Sequence, residues 1–218
     1  MELLLILKNE ALKLVKKTRA WLGPILIFIL IMVAFPLTVE LTSNNLSDAF
    51  YPVLFISILL VMMLATEDIF LEDYEDGTLE LFFISEKSLS QWVFLKIFMH
   101  WLFIGVPISL LGAFFNIGAN NDLASSLMLL PALLIATYIF LILFCFGNSL
   151  SLTKGSVLGT LITLPLTLPI LVVLGKLNTA IIFNISYFEF LILLFGILSI
   201  IIFAFPAIIS RIIKTHLE

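Results

Sequence analysis

The feature that most constrains this chain is a series of apolar runs about as long as a membrane is thick. Residues 21–39 hold no charged side chain. A helix needs about 20 mainly apolar residues to cross a hydrocarbon layer of about 30 Å. A membrane β-strand would instead alternate polar and apolar residues in segments of about ten. The pattern therefore predicts an all-α integral membrane protein.

The composition excludes several other classes of protein. Hydrophobic residues make up 62% of the 218 residues and charged residues only 12%. A soluble domain of this length needs more polar surface, usually about 25% charged residues. The single Cys145 cannot form an intrachain disulfide. A soluble enzyme, a disordered chain and a disulfide-stapled scaffold are all excluded.

Six spans are expected within a single transmembrane domain, residues 1–218. They are placed at 22–40, 50–66, 92–115, 125–147, 156–175 and 187–208. The first is interpreted as a retained span, because its apolar run is too long for a signal peptide and no small-residue cleavage site follows it.

The basic residues orient these spans. With alternating connections, ten of the eleven Lys and Arg residues fall on one side of the membrane, and Lys176 alone falls on the other. Basic residues concentrate on the cytoplasmic side. Both termini and the segment 67–90 are therefore predicted to be cytoplasmic.

The N-terminal segment 1–20 is predicted to be an amphipathic interfacial helix. At 100° per residue, an apolar stripe forms along one side, with lysines on the rest. Such a helix lies in the membrane surface with its stripe in lipid. The alternative is a frayed basic lead-in that only sets the topology. The stripe comprises Leu3, Leu4, Leu7, Ala11, Leu14 and Val15.

The segment 67–90 is strongly acidic: eight of the fifteen carboxylates lie between positions 67 and 86. Residues 67–76 are predicted to be helical, with Glu67 and Phe70 on an apolar face. Asp76-Gly77 then marks a turn, and a short helix follows over 79–84. Five carboxylates are placed together on the opposite face: Asp68, Glu72, Asp73, Glu75 and Asp76.

Two interpretations of this acidic face remain open. It is either a solvated surface or a surface that receives a basic groove of a partner protein. Glu67 is expected to need a basic partner at the membrane boundary, such as Lys16 or Arg19.

The third span carries polar residues at membrane depth. Lys96 is expected to snorkel toward water. His100, next to Trp101, is assigned an interhelical hydrogen bond, a role in gating or a substrate path, or iron ligation. Pro107 and, in the fifth span, Pro165 and Pro169 free backbone carbonyls, for which Thr163 and Thr167 are available as donors. Gly155 and Gly159 form a GxxxG pattern, which suits close helix contact.

Catalytic motifs are missing. The sequence has no phosphate-binding GxxxxGK[ST] loop, no HExxH and no GxSxG. Any work that the protein performs must draw on a partner, and the acidic segment is the surface best suited to receive one.

Four stretches resemble the CcmB-type permease family of the cytochrome c maturation machinery. Their order and the six-span layout agree along essentially the whole chain. They are Phe35-Pro-Leu37; Glu67-x-x-Phe70-x-x-Asp73-x-x-Asp76-Gly77-x-Leu79-Glu80; Lys96-x-x-x-His100-Trp101-x-x-x-Gly105-x-Pro107; and Lys154-Gly155-x-Val157-Leu158 with Leu164-Pro-Leu-Thr-Leu-Pro-Ile-Leu171.

The resemblance implies a non-catalytic permease of the ABC exporter class in the bacterial inner membrane, with no tightly bound cofactor and haem as a substrate of the complex. Implied partners are a CcmA-like ATPase subunit, a CcmC-like haem-handling membrane protein, a small CcmD-like accessory subunit and a CcmE-like periplasmic haem chaperone, with two permease copies and no nucleic acid. Residues 67–80 would contain the coupling helix that docks on the ATPase, with Glu67, Phe70, Asp73, Asp76, Gly77 and Glu80 as its functional positions.

The resemblance leaves open whether the complex delivers haem or releases the haem-loaded chaperone. Alternatives for the chain are an ABC permease for another substrate, a passive scaffold for haem-handling proteins and, least favoured by the residues, an intramembrane enzyme.

Overall fold

The computed structural model describes residues 2–38, 43–84, 88–120, 122–153, 156–183 and 185–217, and these residues are helical apart from short turns. Its helices are α1 (Glu2–Lys16), α2 (Thr18–Thr38), α3 (Ser43–Ala65), α4 (Leu71–Glu75), α5 (Thr78–Ile84), α6 (Leu89–His100), α7 (Val106–Asn120), α8 (Leu123–Leu150), α9 (Ser156–Ile182) and α10 (Phe188–Leu217). A π-helical turn, Trp101–Gly105, joins α6 to α7.

The helices form a multi-pass membrane bundle, as predicted. Five described stretches are long and apolar enough to span a membrane: Thr18–Thr38, Leu89–Ala119, Leu123–Leu150, Leu158–Ile182 and Phe188–Leu217. Within α3, Ala49–Ala65 adds a shorter apolar helix. Together with α3, these stretches give six passes.

Three contacts bring distant parts of the chain together at one end of the bundle. The Asn148 amide donates to the carbonyl of Thr66. His216 Nε2 lies 3.1 Å from the carbonyl of Ser149. The Lys214 ammonium lies 6.0 Å from the centre of the Phe83 ring. We call this end, which includes α1, α4 and α5, the hairpin end, and the opposite end the loop end.

Helix α8 is the centre of the bundle. It packs against α3, α7, α9 and α10. Phe140 and Phe144 on this helix are fully buried. A helix that is apolar on all sides belongs in such a central position.

Helices α8 and α9 approach each other through two glycines. A Cβ on Gly159 would lie 1.9 Å from the carbonyl oxygen of Gly147, and a Cβ on Gly147 would lie 2.4 Å from that of Gly159. Only glycine allows backbones this close. Gly159, the second glycine of the GxxxG pattern, therefore allows two spans to pack closely. Gly155, the first glycine, lies outside the described residues.

The ends of the spans differ from the sequence expectation. The fifth span was expected to end at 175 but continues to Ile182. The sixth was expected to end at 208 but continues to Leu217. Hydropathy marks where apolar side chains end, whereas a helix also continues past the hydrocarbon layer because its backbone bonds remain satisfied.

The expectation that threonines bond the carbonyls freed by proline is wrong in detail. Thr163 donates to Gly159 and Thr160, and Thr167 donates to Leu164. Pro165 and Pro169 would deprive the carbonyls four residues earlier, at 161 and 165, of a donor. Both prolines are exposed on α9, whereas both threonines are fully buried.

We predict that Gly159→Ala destabilises the bundle by about 1–3 kcal/mol, because α8 and α9 must move apart to admit the methyl group. The free energy of unfolding in detergent measures this. Gly196→Ala on α10 is the matched control, since nothing lies within 4 Å of its added Cβ. Equal stability of the two variants would contradict the close contact.

Candidate functional site: a buried ion cluster beneath an acidic hairpin

The acidic segment forms a helical hairpin, α4 and α5, joined at Gly77. Gly77 has φ = +75°, a conformation that suits glycine. Asp76 Oδ1 accepts a 2.9 Å hydrogen bond from the Thr78 amide and stabilises the turn. The predicted turn and the second helix are confirmed. The first helix begins only at Leu71, after a turn over residues 66–70.

Aromatic packing seats the hairpin on α6. Phe70 and Leu79 are essentially fully buried, and so is Trp92 of α6. The centre of the Trp92 ring lies 6.3 Å from that of Phe70 and 5.3 Å from that of Phe82. These contacts make the hairpin part of the bundle rather than a free loop.

A cluster of four charged residues lies beneath the hairpin. Asp73 of α4 accepts hydrogen bonds from Lys96 of α6 through one oxygen and from Lys13 of α1 through the other. The Lys13 bond measures 2.8 Å. Glu10 of α1 lies 3.5 Å from the Lys96 ammonium. Two anions and two cations thus join three elements that are distant in sequence, and we call them the ion cluster.

Three of the four residues of the ion cluster are buried, which makes their pairing essential, whereas the Lys13 side chain is 44% exposed. Asp73, Glu10 and Lys96 are 2%, 4% and 5% exposed. The Lys96 ammonium also lies 5.1 Å from the centre of the Trp92 ring. Removing one partner of a buried pair leaves the other charge uncompensated and costs about 3–5 kcal/mol.

Two sequence expectations are corrected here. Asp73 was placed on the exposed acidic face, but it is buried. Lys96 was expected to snorkel to water, but it is held by Asp73 and Glu10. A helix that began at Glu67 would place Asp73 on the outer face, whereas α4 begins at Leu71 and Asp73 faces α6. No sequence spacing links Glu10 to Lys96, so this contact was not foreseen.

Glu86 lies outside the described residues. The other described carboxylates of the segment 67–90 are exposed: Glu67, Asp68, Glu72, Glu75, Asp76 and Glu80. Glu67 therefore does not share the buried face of Phe70. Of the basic residues at the end of α1, Lys17 pairs with Glu72, both about half exposed. Such an exposed pair contributes at most about 1 kcal/mol.

The pKa shifts follow these surroundings. Partial burial, followed by the negative charges of Glu67, Glu72 and Glu75, raises the pKa of Asp68. Hydrogen bonds from Thr78 lower the pKa of Asp76. Burial opposes the charged form of Lys13, but the hydrogen bond to Asp73 and the negative charges of Asp73, Glu10 and Asp76 together outweigh it and raise the pKa of Lys13. The carboxylates on the hairpin surface therefore repel one another, whereas the charges of the ion cluster beneath them cancel.

A polar network continues from the ion cluster into the bundle. His100 is buried one turn after Lys96, and its Nδ1 lies 3.0 Å from the Lys96 carbonyl. That contact lies within α6, whereas an interhelical hydrogen bond was one of the three roles expected of His100. Trp101 makes the interhelical bonds, donating to Leu134 O and Thr137 Oγ1 on α8, both at 3.2 Å.

The π-helical turn fits around this tryptophan. A Cβ on Gly105 would lie 2.4 Å from the Trp101 ring, so the indole occupies the space that a side chain would need. Pro107 follows the turn and donates no backbone hydrogen bond. Ser109 donates to the Gly105 carbonyl at 2.8 Å and lies 3.2 Å from Thr137 Oγ1.

Two cavities flank the hairpin. One of about 350 Å³ lies between the hairpin and the segment after α8, lined by Glu67, Tyr74, Glu75, Asn148 and Thr153 among others. The other, of about 340 Å³, reaches the ion cluster and His100. No group of three His, Cys, Asp or Glu side chains suited to a metal ion occurs in the described parts of the chain.

We predict that Lys96→Met lowers the free energy of unfolding by about 3–5 kcal/mol, because Asp73 and Glu10 lose their shared cation. Lys17→Met is the control, since it breaks an exposed pair and should cost at most about 1 kcal/mol. Lys96→Met and Asp73→Asn should also be strongly non-additive when combined. Additive effects would mean that the pair is not coupled.

The lowered pKa of Asp76 predicts a pH dependence of the hairpin turn. Its contribution is complete above the ordinary carboxyl value of 3.8 and is lost as the pH falls through the lowered folded-state value. Hydrogen exchange should show wild type more protected than Asp76→Ala around residues 77–80 at pH 6. This difference should shrink as the pH falls through the lowered folded-state pKa of Asp76. An unchanged difference at acid pH would contradict the role of Asp76.

Comparison with known proteins assigns the family. Residues 1–212 match the family described as CcmB protein. The heme exporter protein B of Pseudomonas aeruginosa is 30% identical over 170 residues, covering 77% of this chain and 76% of that protein. The protein of the same name from Haemophilus influenzae is 28% identical over 184 residues, with coverages of 84% and 83%. The chain belongs to the CcmB family.

Proposed function

We propose that this protein is the membrane permease subunit of an ABC-type complex in cytochrome c maturation, and that a separate ATPase subunit docks on its hairpin. Its similar relatives carry the name heme exporter protein B, which supports haem as the substrate of the complex. The protein itself is non-catalytic in this proposal. ATP hydrolysis in the partner drives haem delivery or the release of a haem-loaded periplasmic chaperone.

The hairpin end is assigned to the cytoplasmic side of a bacterial inner membrane. The basic residues of α1, together with Arg211 and Lys214 of α10, belong to this end. Basic residues favour the cytoplasmic side of a membrane. An ATPase subunit hydrolyses nucleotide on the cytoplasmic side, so the hairpin lies on the side where that subunit can bind it.

The exposed surface of the hairpin supports docking by its chemistry. Leu81 of α5 is 69% exposed and Phe83 is 41% exposed. Asp68, Glu75 and Glu80 are exposed in the same segment. Exposed apolar side chains together with exposed charges are typical of a protein interaction site. The carboxylates fit a basic groove, which would also relieve their mutual repulsion.

The ion cluster connects the docked hairpin mechanically to the bundle. Asp73 and Lys96 join the hairpin to α6, while Lys13 and Glu10 join both to α1. A displacement of the hairpin therefore acts on the third span at Lys96. From there α6 continues through the π-helical turn to α7, and Trp101 contacts α8. This is the route by which we propose that ATPase movements reach the bundle.

The remaining partners of the proposed complex are those that the family resemblance implies. They are a haem-handling membrane protein, a small accessory subunit and the periplasmic haem chaperone, with two permease copies in the assembly. Asp73 is no longer assigned a direct contact with the ATPase, because it is buried. Its role is to position the hairpin.

We predict that Glu75→Gln combined with Glu80→Gln weakens binding of the ATPase subunit by about tenfold at low salt. The reason is that the basic groove loses two of its counter-charges. Affinity for the purified ATPase, measured at low and high salt, tests this. Because salt screens exposed charges, the difference should shrink at high salt.

Glu189→Gln is the matched control, since Glu189 is exposed near the start of α10 at the loop end. Its affinity should equal that of wild type. Equal affinity of the double hairpin variant at unchanged yield would contradict docking through these carboxylates. Cytochrome c maturation that continues with an ATPase-dead partner would instead contradict ATP-driven function.

A further inference from the structure

Helix α1 has a second face that the bundle does not cover. Glu10 and Leu14 point into the protein, each 4% exposed, and α1 packs there against α6. On the other side, Leu12 and Val15 are 47% and 55% exposed. Large apolar side chains on the uncovered side of a helix favour an environment other than water.

The exposed face combines these apolar residues with basic ones. At 100° per residue, Lys8, Leu12, Val15 and Lys16 fall within a sector of about 100°, opposite Glu10 and Leu14. Lys8 and Lys16 are exposed and make no ion pair with a described residue. Lys13 and Lys17, by contrast, are used by Asp73 and Glu72.

The position of α1 brings this face to the membrane surface. The helix ends at Lys16, and the apolar span α2 begins two residues later at Thr18. Lys13 bonds to Asp73, so α1 lies at the level of the hairpin. Leu12 and Val15 can therefore reach the boundary of the acyl chains while the lysines stay among the headgroups.

We propose that the Lys8–Leu12–Val15–Lys16 face of α1 binds anionic phospholipid of the adjacent leaflet. Each lysine near an anionic surface contributes about 1 kcal/mol, and the two apolar side chains add burial. The structure thereby shifts the lipid contact around the helix, since the predicted stripe contributes only Val15 to this face. Leu14 of that stripe packs on the protein, and the side chains of Leu3 and Leu4 lie outside the described residues.

Adjacent lysines provide a matched test on the full chain. Native mass spectrometry measures binding of phosphatidylglycerol to the detergent-solubilised protein. Lys16→Gln should weaken binding of the first lipid about fivefold. Lys17→Gln should leave it within about twofold, because Lys17 faces Glu72 instead. Phosphatidylcholine should bind both variants equally, and glycerol phosphate should not displace the lipid.

A second measurement locates the face without relying on affinity. A nitroxide label at Val15→Cys in nanodiscs should collide with dissolved oxygen more than with a water-soluble nickel chelate. The same label at Lys17→Cys should show the reverse preference. The native Cys145 is fully buried and should not compete for label. A water-accessible label at position 15, equal loss of lipid in the two lysine variants, or displacement by glycerol phosphate would overturn the proposal.

Discussion

The pair between Asp73 and Lys96 is the interaction on which the hairpin end depends. Lys96 lies on a membrane-spanning element and needs an anion because its side chain is buried. Asp73 needs a cation for the same reason. Each residue satisfies the other, and Lys13 and Glu10 complete a set without net charge. The position of the acidic hairpin is therefore fixed to the third span by an interaction that is costly to break.

This constraint separates two kinds of carboxylate within one short segment. Asp73 is buried and structural, whereas Asp68, Glu75 and Glu80 remain on the surface. A loop held only by exposed charges would shift with salt and bind a partner without moving the bundle. A hairpin held by a buried pair and by Trp92 moves together with α6. The proposed function requires a surface that docks a partner and a rigid connection that transmits its movement, and the exposed carboxylates and the buried pair are our candidates for the two.

Much of the architecture could be predicted because it follows from local patterns. Apolar runs predicted a multi-span helical protein, and Asp76-Gly77 predicted the hairpin turn. The family resemblance, drawn from motifs along the chain, is confirmed by the match over residues 1–212. The Glu67 and His100 roles stay predictions, as does the choice between haem delivery and chaperone release.

The rest depends on contacts between distant residues. Asp73 is buried because α4 starts four residues later than the predicted helix. No periodicity of the sequence indicates this later start. Contact between Gly147 and Gly159 needs the register of two helices. Glu10 had a local signal, as one carboxylate among lysines, but its partner lies 86 positions later at Lys96. Sequence spacing gives faces of helices, whereas tertiary packing decides which face is covered.

The most direct test is a photo-crosslink from the exposed hairpin in membranes that contain the complete complex. A photoreactive phenylalanine derivative at Leu81 keeps the apolar character of this exposed position. The account predicts a crosslink to the ATPase subunit on the cytoplasmic side. A crosslink to a periplasmic protein, or none to the ATPase in a complex that still matures cytochrome c, would contradict it.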